Sequence, residues 1–181
     1  MTSLLDPEAV AVGVREAVRE VPDFPVPGVS FKDITPVLAD PRLFRSLTDV
    51  LAARFADAGV THVAAIESRG FLLGAPIAQS LRAALVPVRK LGKLPYRTER
   101  ADYSLEYGTA SIEVHVDAWG AGDRVLIVDD VLATGGTADA ACRLVERMGA
   151  GVVGLAFLLS LTFLSGEESL RGRRVETLVR Y

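Results

Sequence analysis

The chain has 181 residues, half of them hydrophobic, with a formal charge of −3 and a single cysteine, Cys142. There is no basic surplus to draw a nucleic acid, and one cysteine excludes an intrachain disulfide and a cysteine-built metal cluster. The mean hydropathy of +0.30 is high, but the most apolar stretch, 152–164, is interrupted by Gly154, Ser160 and Thr162 and falls short of the roughly 20 residues that span a bilayer.

Asp6-Pro7-Glu8 predicts a helix start, with a capping acid and proline in the first turn. Val10, Val14 and Val18 repeat at helical spacing. Pro22, Pro25, Pro27 and Gly28 break this helix, and 21–36 is expected to be an irregular loop. Its rigid prolines and apolar side chains suit either a wall for a flat apolar ligand or a packing arm between helices. Asp40-Pro41 starts a second helix, with Leu43, Phe44, Leu47, Val50, Leu51 and Phe55 as its buried stripe and Gly59 as its end.

Residues 60–66 predict the first central strand, followed by Glu67-Ser68-Arg69-Gly70 and a helix over 71–82 that Pro76 interrupts. A second strand covers 85–89. Residues 90–108 are polar and charged, and a connection of this length predicts a lid or binding loop. Residues 109–116 alternate, with Ile112, Val114 and Val116 on one face and Ser111, Glu113 and His115 on the other, which predicts a half-exposed strand. After a turn at 119–122 come a strand ending in Asp129-Asp130, a helix to about Gly149, a buried strand over 152–159, a short helix at 167–170 and a last strand over 175–179. Strands alternating with helices imply a mainly parallel α/β sheet in a single domain, with ligands beyond the strand C-terminal ends. His62, His115 and Trp119 have no metal-ligand or catalytic partner at useful spacing and are expected to be structural. Cys142, within a helix, is expected to be a packed hydrophobe. The N-terminus lacks a basic-then-apolar leader pattern, and together these features predict a cytoplasmic protein.

The chemistry concentrates in 125–138. An apolar run reads as a strand buried on both faces and ends in two carboxylates. The small-residue loop Ala133-Thr134-Gly135-Gly136-Thr137 then opens a helix and can offer a nest of backbone N–H groups to a phosphate. A phosphate alone would not favour two acidic neighbours. A sugar diol would, because carboxylates accept hydroxyl hydrogen bonds, and so would a bound cation. The loop therefore predicts a sugar phosphate with Mg²⁺. It is not a Walker A loop, since no lysine follows, and it lacks the spaced glycines of a dinucleotide fingerprint. Arg69, at another strand-to-helix turn, can clamp an anion through its guanidinium. Arg89, Lys90 and Lys93 lie at the same end of the sheet and would help neutralise a polyanion. Glu106, between Tyr103 and Tyr107 at the end of the long loop, could bring a carboxyl group to a reacting nitrogen while the loop excludes water.

Acid-acid followed by Ala-Thr-Gly-Gly-Thr resembles the phosphoribosyl-diphosphate (PRPP) loop of the type I phosphoribosyltransferases. Pro22-Asp23-Phe24-Pro25, Glu67-Ser68-Arg69-Gly70-Phe71, Gly92-Lys93-Leu94-Pro95 and Leu105-Glu106-Tyr107-Gly108 extend the resemblance over nearly the whole chain and narrow it to the adenine branch. The resemblance implies an α/β fold with a mainly parallel central sheet flanked by helices, an N-terminal hood over 1–36 and a flexible lid over 90–108. It implies the reaction adenine + PRPP → AMP + diphosphate with Mg²⁺, in purine salvage, by a cytoplasmic homodimer without nucleic-acid or membrane partners. In that reading Ala133, Thr134, Gly135, Gly136 and Thr137 bind the 5′-phosphate, and Asp129 and Asp130 face the ribose hydroxyls. Ser68, Arg69, Arg89, Lys90, Lys93 and Tyr107 complete the PRPP site, with the basic segment able to reach a partner's site. Val29, Phe31, Lys32 and Leu132 surround adenine, Lys32 standing where many relatives carry arginine. Glu106 and Arg69 are the catalytic pair, Mg²⁺ is held mainly through PRPP and water rather than by protein ligands, and the Glu67–Ser68 peptide is expected to be cis. A transferase for a 6-oxopurine or pyrimidine, and a non-catalytic PRPP sensor, are the alternatives.

Overall fold

The computed structural model describes residues 6–104 and 109–181. They divide into two compact units, Met1–Val50 and Leu51–Tyr181.

In the first unit, helix α1 (Pro7–Ala17) is capped as its sequence requires: Asp6 Oδ1 accepts the Glu8 N–H at 3.0 Å, Pro7 occupies the first turn, and Val10 and Val14 are buried. The segment expected to be an irregular loop contains more order than that. Strand β1 (Arg19–Val21) pairs antiparallel with β2 (Phe31–Asp33), and α2 (Thr35–Ala39) follows. Three-residue strands are too short for an alternating pattern to register. Side-chain contacts fix this pairing: Lys32 Nζ lies 3.0 Å from Glu20 Oε1, Arg19 pairs with Asp33 at 3.5 Å, and Ser30 donates to Glu20. Asp33 also accepts the Thr35 N–H at 2.9 Å and the Thr35 hydroxyl at 2.8 Å, which starts α2. Helix α3 (Pro41–Ala53) begins under the Asp40 cap, whose Oδ1 accepts the N–H groups of Arg42 and Leu43. It ends earlier than its apolar stripe predicts. Phe55 lies beyond it, fully buried, and a 3₁₀ turn over Ala56–Ala58 leads to Gly59.

The second unit carries the sheet. Its strands are β3 (His62–Ile66), β4 (Ala84–Lys90), β5 (Thr98–Ser104), β6 (Thr109–His115), β7 (Arg124–Leu132), β8 (Gly151–Ser160) and β9 (Val175–Arg180), in the order β5-β6-β4-β3-β7-β8-β9. The five strands β4, β3, β7, β8 and β9 run parallel, while β6 and β5 form an antiparallel edge. Helices α4 (Gly70–Leu81), α5 (Gly136–Arg147) and α6 (Gly166–Ser169) follow β3, β7 and β8. Parallel strands with helical crossovers are buried on both faces, and Val125 to Val128 accordingly lie wholly inside. Trp119 and Cys142 belong to the same core. Burial pushes the Cys142 thiol up to about 12, which suits packing rather than reactivity.

Strand β5 corrects the reading of 90–108 as one loop. Its sequence is charged and only Ala101 is deeply buried, so no pattern announces it. It is held by β6 and by two arginines of α5. Arg143 donates to the Asp102 carbonyl at 2.8 Å, and Arg147 donates to the Arg100 carbonyl at 2.5 Å and pairs with Glu99 at 3.2 Å. No described helix is long and apolar enough to cross a membrane.

Candidate active site

Parallel topology places the C-terminal ends of β3, β4 and β7 on one edge of the sheet, and the predicted anion-binding residues of the second unit emerge there. At the end of β7 the chain turns through Ala133–Gly135 into α5. Gly135 has φ +83°, and a Cβ on it would lie 2.5 Å from the Gly166 carbonyl oxygen. A Cβ on Gly166 would in turn meet the Ala133 carbonyl at 2.1 Å. Two bare backbones therefore press together, and Ser169 completes the brace by donating to the Thr134 carbonyl at 2.9 Å. Gly166 and Ser169 were not anticipated as site residues. Their short helix lies about thirty residues further along the chain and carries no chemical motif of its own.

No side chain caps α5, so its first N–H groups face the turn without a protein acceptor from the cap. Residues Asp129, Val131 to Ala138 and Phe157 line a cavity there of ≈ 70 Å³. It offers backbone donors and the Thr134 and Thr137 side chains to a group of phosphate size. Leu132 lines this cavity and is otherwise part of the core, 1 % exposed.

The two carboxylates differ in environment. Asp130 is buried and ion-paired to Arg69 Nε. Asp129 accepts the Asp130 N–H at 2.8 Å. Burial, and then the negative charge of Asp130, push the Asp129 carboxyl well above the usual range. Close packing of α4 on β7 sets this geometry. A Cβ on Gly70 would meet the Val128 carbonyl at 2.9 Å and Asp129 Oδ1 at 3.0 Å, so the start of α4 can approach the acids only with glycine there.

The turn after β3 brings the remaining cations together. The Glu67–Ser68 peptide is cis, as the resemblance implied. Ser68 and Arg69 form the entrance of α4, whose first turn has no side-chain cap. Glu67 Oε2 accepts Arg89 Nε at 3.2 Å and the Lys90 N–H at 3.1 Å, and Oε1 lies 2.5 Å from Lys93 Nζ. Burial raises the Glu67 carboxyl, but the hydrogen bond from Lys93, the Lys90 N–H, the Lys93 charge and Arg89 outweigh it and hold it below the ordinary value. Glu67 thus draws together the Arg89 guanidinium, the Lys93 ammonium and the Lys90 backbone, a role that its position in the sequence did not disclose.

Glu113 was expected on the exposed face of β6 and is instead 3 % exposed. It binds segment 93–98, which folds back over that face and covers it.

Val29, Phe31 and Lys32 lie in the first unit. Val29 is exposed, Phe31 meets Phe24 edge-on at 5.2 Å, and Lys32 is held by Glu20. Glu106 and Tyr107 lie outside the described residues.

Residues 34–172 match the family model for the phosphoribosyl transferase domain. The adenine phosphoribosyltransferase of Myxococcus xanthus is 56 % identical over 99 % of this chain and 97 % of its own length. That of Acidothermus cellulolyticus is 51 % identical over 97 % of this chain and 99 % of its own. Among solved structures, adenine phosphoribosyltransferase from Rhodothermus marinus superposes with a TM-score of 0.92 at 53 % identity, covering 96 % of this chain and 99 % of that one. The Saccharomyces cerevisiae enzyme, complexed with an imino-altritol bisphosphate and adenine, superposes with a TM-score of 0.89 at 38 % identity, covering 94 % and 98 %. With a bare-backbone turn, a carboxylate pair and a cluster of cations on one edge of a type I phosphoribosyltransferase sheet, the chain belongs to the adenine phosphoribosyltransferase family.

Proposed function

We propose that this chain transfers the 5-phosphoribosyl group of PRPP to adenine, releasing AMP and diphosphate, in purine salvage. The observation that carries the reading is the β7–α5 turn: the uncapped start of α5 and Asp129 line one small cavity, with Asp130 next along the strand and paired to Arg69, a combination that fits a phosphorylated sugar and little else.

In this reading Ala133 to Thr137 hold the 5′-phosphate, and Asp129 and Asp130 accept hydrogen bonds from the ribose hydroxyls. Arg69, with Ser68, Arg89, Lys90 and Lys93, meets the diphosphate, whose charge no single cation could balance. Val29, Phe31, Lys32 and Leu132 enclose adenine. The C1–O bond to diphosphate breaks, leaving an oxocarbenium-like sugar, and a purine ring nitrogen forms the new C1–N bond from the opposite face. The protein's part is alignment and stabilisation of separating charge. The proton displaced from the attacking nitrogen passes to Glu106, and Tyr107 helps to close the site.

Two adjacent carboxylates, one of them paired with Arg69, form a donor set that would leave most positions on a divalent cation to substrate oxygens and water. Among the described residues no cluster of three or more His, Cys, Asp or Glu side chains gathers to hold one. Mg²⁺ held there with PRPP, by Asp129 and Asp130 together with substrate oxygens and water, would supply positive charge to offset that of the diphosphate.

The whole chain acts as one transferase domain in this proposal, with 1–36 as a hood and 90–108 as the region of the lid, working in the cytoplasm as a homodimer. Leu72, Leu85, Leu91 and Tyr96 are exposed apolar side chains that a second copy would cover. Sedimentation of the purified protein at the monomer mass would refute the dimer.

The deciding assay mixes protein, Mg²⁺ and PRPP with adenine, hypoxanthine, guanine or orotate in turn. AMP is the expected nucleotide, and a preference for any other base overturns the assignment. Glu106→Gln should reduce turnover at least about 100-fold. A near-normal rate with substrates bound would remove Glu106 from proton transfer.

A further inference from the structure

Among the described residues Glu113 is the one deeply buried carboxylate of the antiparallel edge, and the mechanism above does not use it. Its Oε1 accepts the N–H groups of Lys93 at 3.0 Å and Leu94 at 3.1 Å, and its Oε2 accepts the Thr98 hydroxyl at 3.0 Å. The two N–H donors come from the segment joining β4 to β5, and the hydroxyl comes from Thr98, the first residue of β5. The β5–β6 ladder and the arginines of α5 already hold the hairpin itself, so what Glu113 adds is its hold on the backbone at Lys93 and Leu94.

Lys93 is pinned at three atoms. Its N–H goes to Glu113, its carbonyl accepts Arg89 Nη1 at 3.1 Å, and its ammonium reaches Glu67 at 2.5 Å. Moving the Lys93 backbone would therefore displace two cations at once. Burial raises the Glu113 carboxyl, but the Leu94 N–H, the Thr98 hydroxyl and the N–H groups of Lys93 and Gly92 outweigh it, so the group stays ionised at neutral pH.

We propose that Glu113 is a positioning residue for the diphosphate half of the site: by fixing the backbone at Lys93 and Leu94 it sets where Lys93 and Arg89 present their charges. This rests on the reading in which those cations meet diphosphate.

The test compares Glu113→Ala, Glu113→Gln and Lys93→Ala, singly and as the Ala/Ala double variant, by steady-state kinetics against each substrate and by thermal melting. Glu113→Ala should raise KM for PRPP about 10-fold and leave KM for adenine within about twofold. Glu113→Gln should recover most of the loss, because its amide oxygen still accepts the two N–H groups and the Thr98 hydroxyl can turn to accept from its amide. In the Lys93→Ala background, Glu113→Ala should add less than it costs alone, because only Arg89, held through the Lys93 carbonyl, is left to displace. If Ala at 113 proves too unstable to assay, Glu113→Asp withdraws the carboxylate by one methylene and should show the same selective rise. A folded Glu113 variant with normal KM for PRPP, beside a defective Lys93→Ala, overturns this proposal alone. So does an equal loss for both substrates. A Lys93→Ala variant with normal KM for PRPP refutes the Lys93 assignment and the proposal built on it.

Discussion

The two regions of the second unit proposed to bind anions are built on opposite principles. The β7–α5 turn is shaped by missing side chains: Gly135 and Gly166 let two backbone segments touch, and the donors offered to a ligand are N–H groups. The region around Lys93 is shaped by charge, with Glu67 and Glu113 each drawing several donors to one carboxylate. The first design is intolerant of volume and indifferent to charge. The second tolerates volume at its exposed tips and depends on two ionised acids. In the proposed reading the first holds a phosphate monoester that stays bound throughout the reaction, and the second meets a diphosphate that leaves.

The sharpest break of this contrast is Gly135→Ala. The new methyl group would sit 2.5 Å from the Gly166 carbonyl at a backbone angle that favours glycine. We expect kcat/KM for PRPP to fall at least about 100-fold, since a displacement near 1 Å costs that much. A normal value would mean that the turn is not the phosphate cradle.

A smaller and two-sided effect is expected at Asp129, whose carboxyl is raised in the folded state by burial and by Asp130. A carboxyl raised on folding costs stability once it ionises. The cost is absent below the unfolded value near 4 and complete above the folded value. Asp129→Asn removes it while keeping an acceptor for the Asp130 N–H. Tm should rise by roughly 2–4 °C at pH 8 and converge with that of the parent as pH approaches 4. Activity should fall about 10-fold through loss of a charged acceptor for ribose. Melting curves across pH that show a constant offset would contradict the assignment.

The mildest change is Ser169→Ala, which removes only the bond to the Thr134 carbonyl. One such bond is worth about 1 kcal/mol, so KM for PRPP should rise by no more than about fivefold. A larger loss would show that the brace, rather than the glycine contact, holds the turn.

How much of this could be read beforehand follows the same division. The strand that carries Asp129-Asp130 and the glycine turn after it were legible because the pattern is local, although the strand runs on to Leu132, past the acids that were expected to end it. Arg69 was legible for the same reason. Strand β5 was not, because its charged residues are held in place by Arg143 and Arg147, about forty-five positions away. Glu113 misled by its alternation, which counts faces but cannot know what covers them. Gly166 and Ser169 gave no signal, since their contribution is contact with a turn some thirty residues earlier.

The sequence by itself determined the alternation of strands and helices, the carboxylate pair and the uncapped, glycine-rich helix entrance, because each depends on neighbours within a few positions. The tertiary structure decided which acids are buried, which cations they gather and which backbone braces the turn. Burial and long-range hydrogen bonding are properties of elements that meet only when the sheet is assembled.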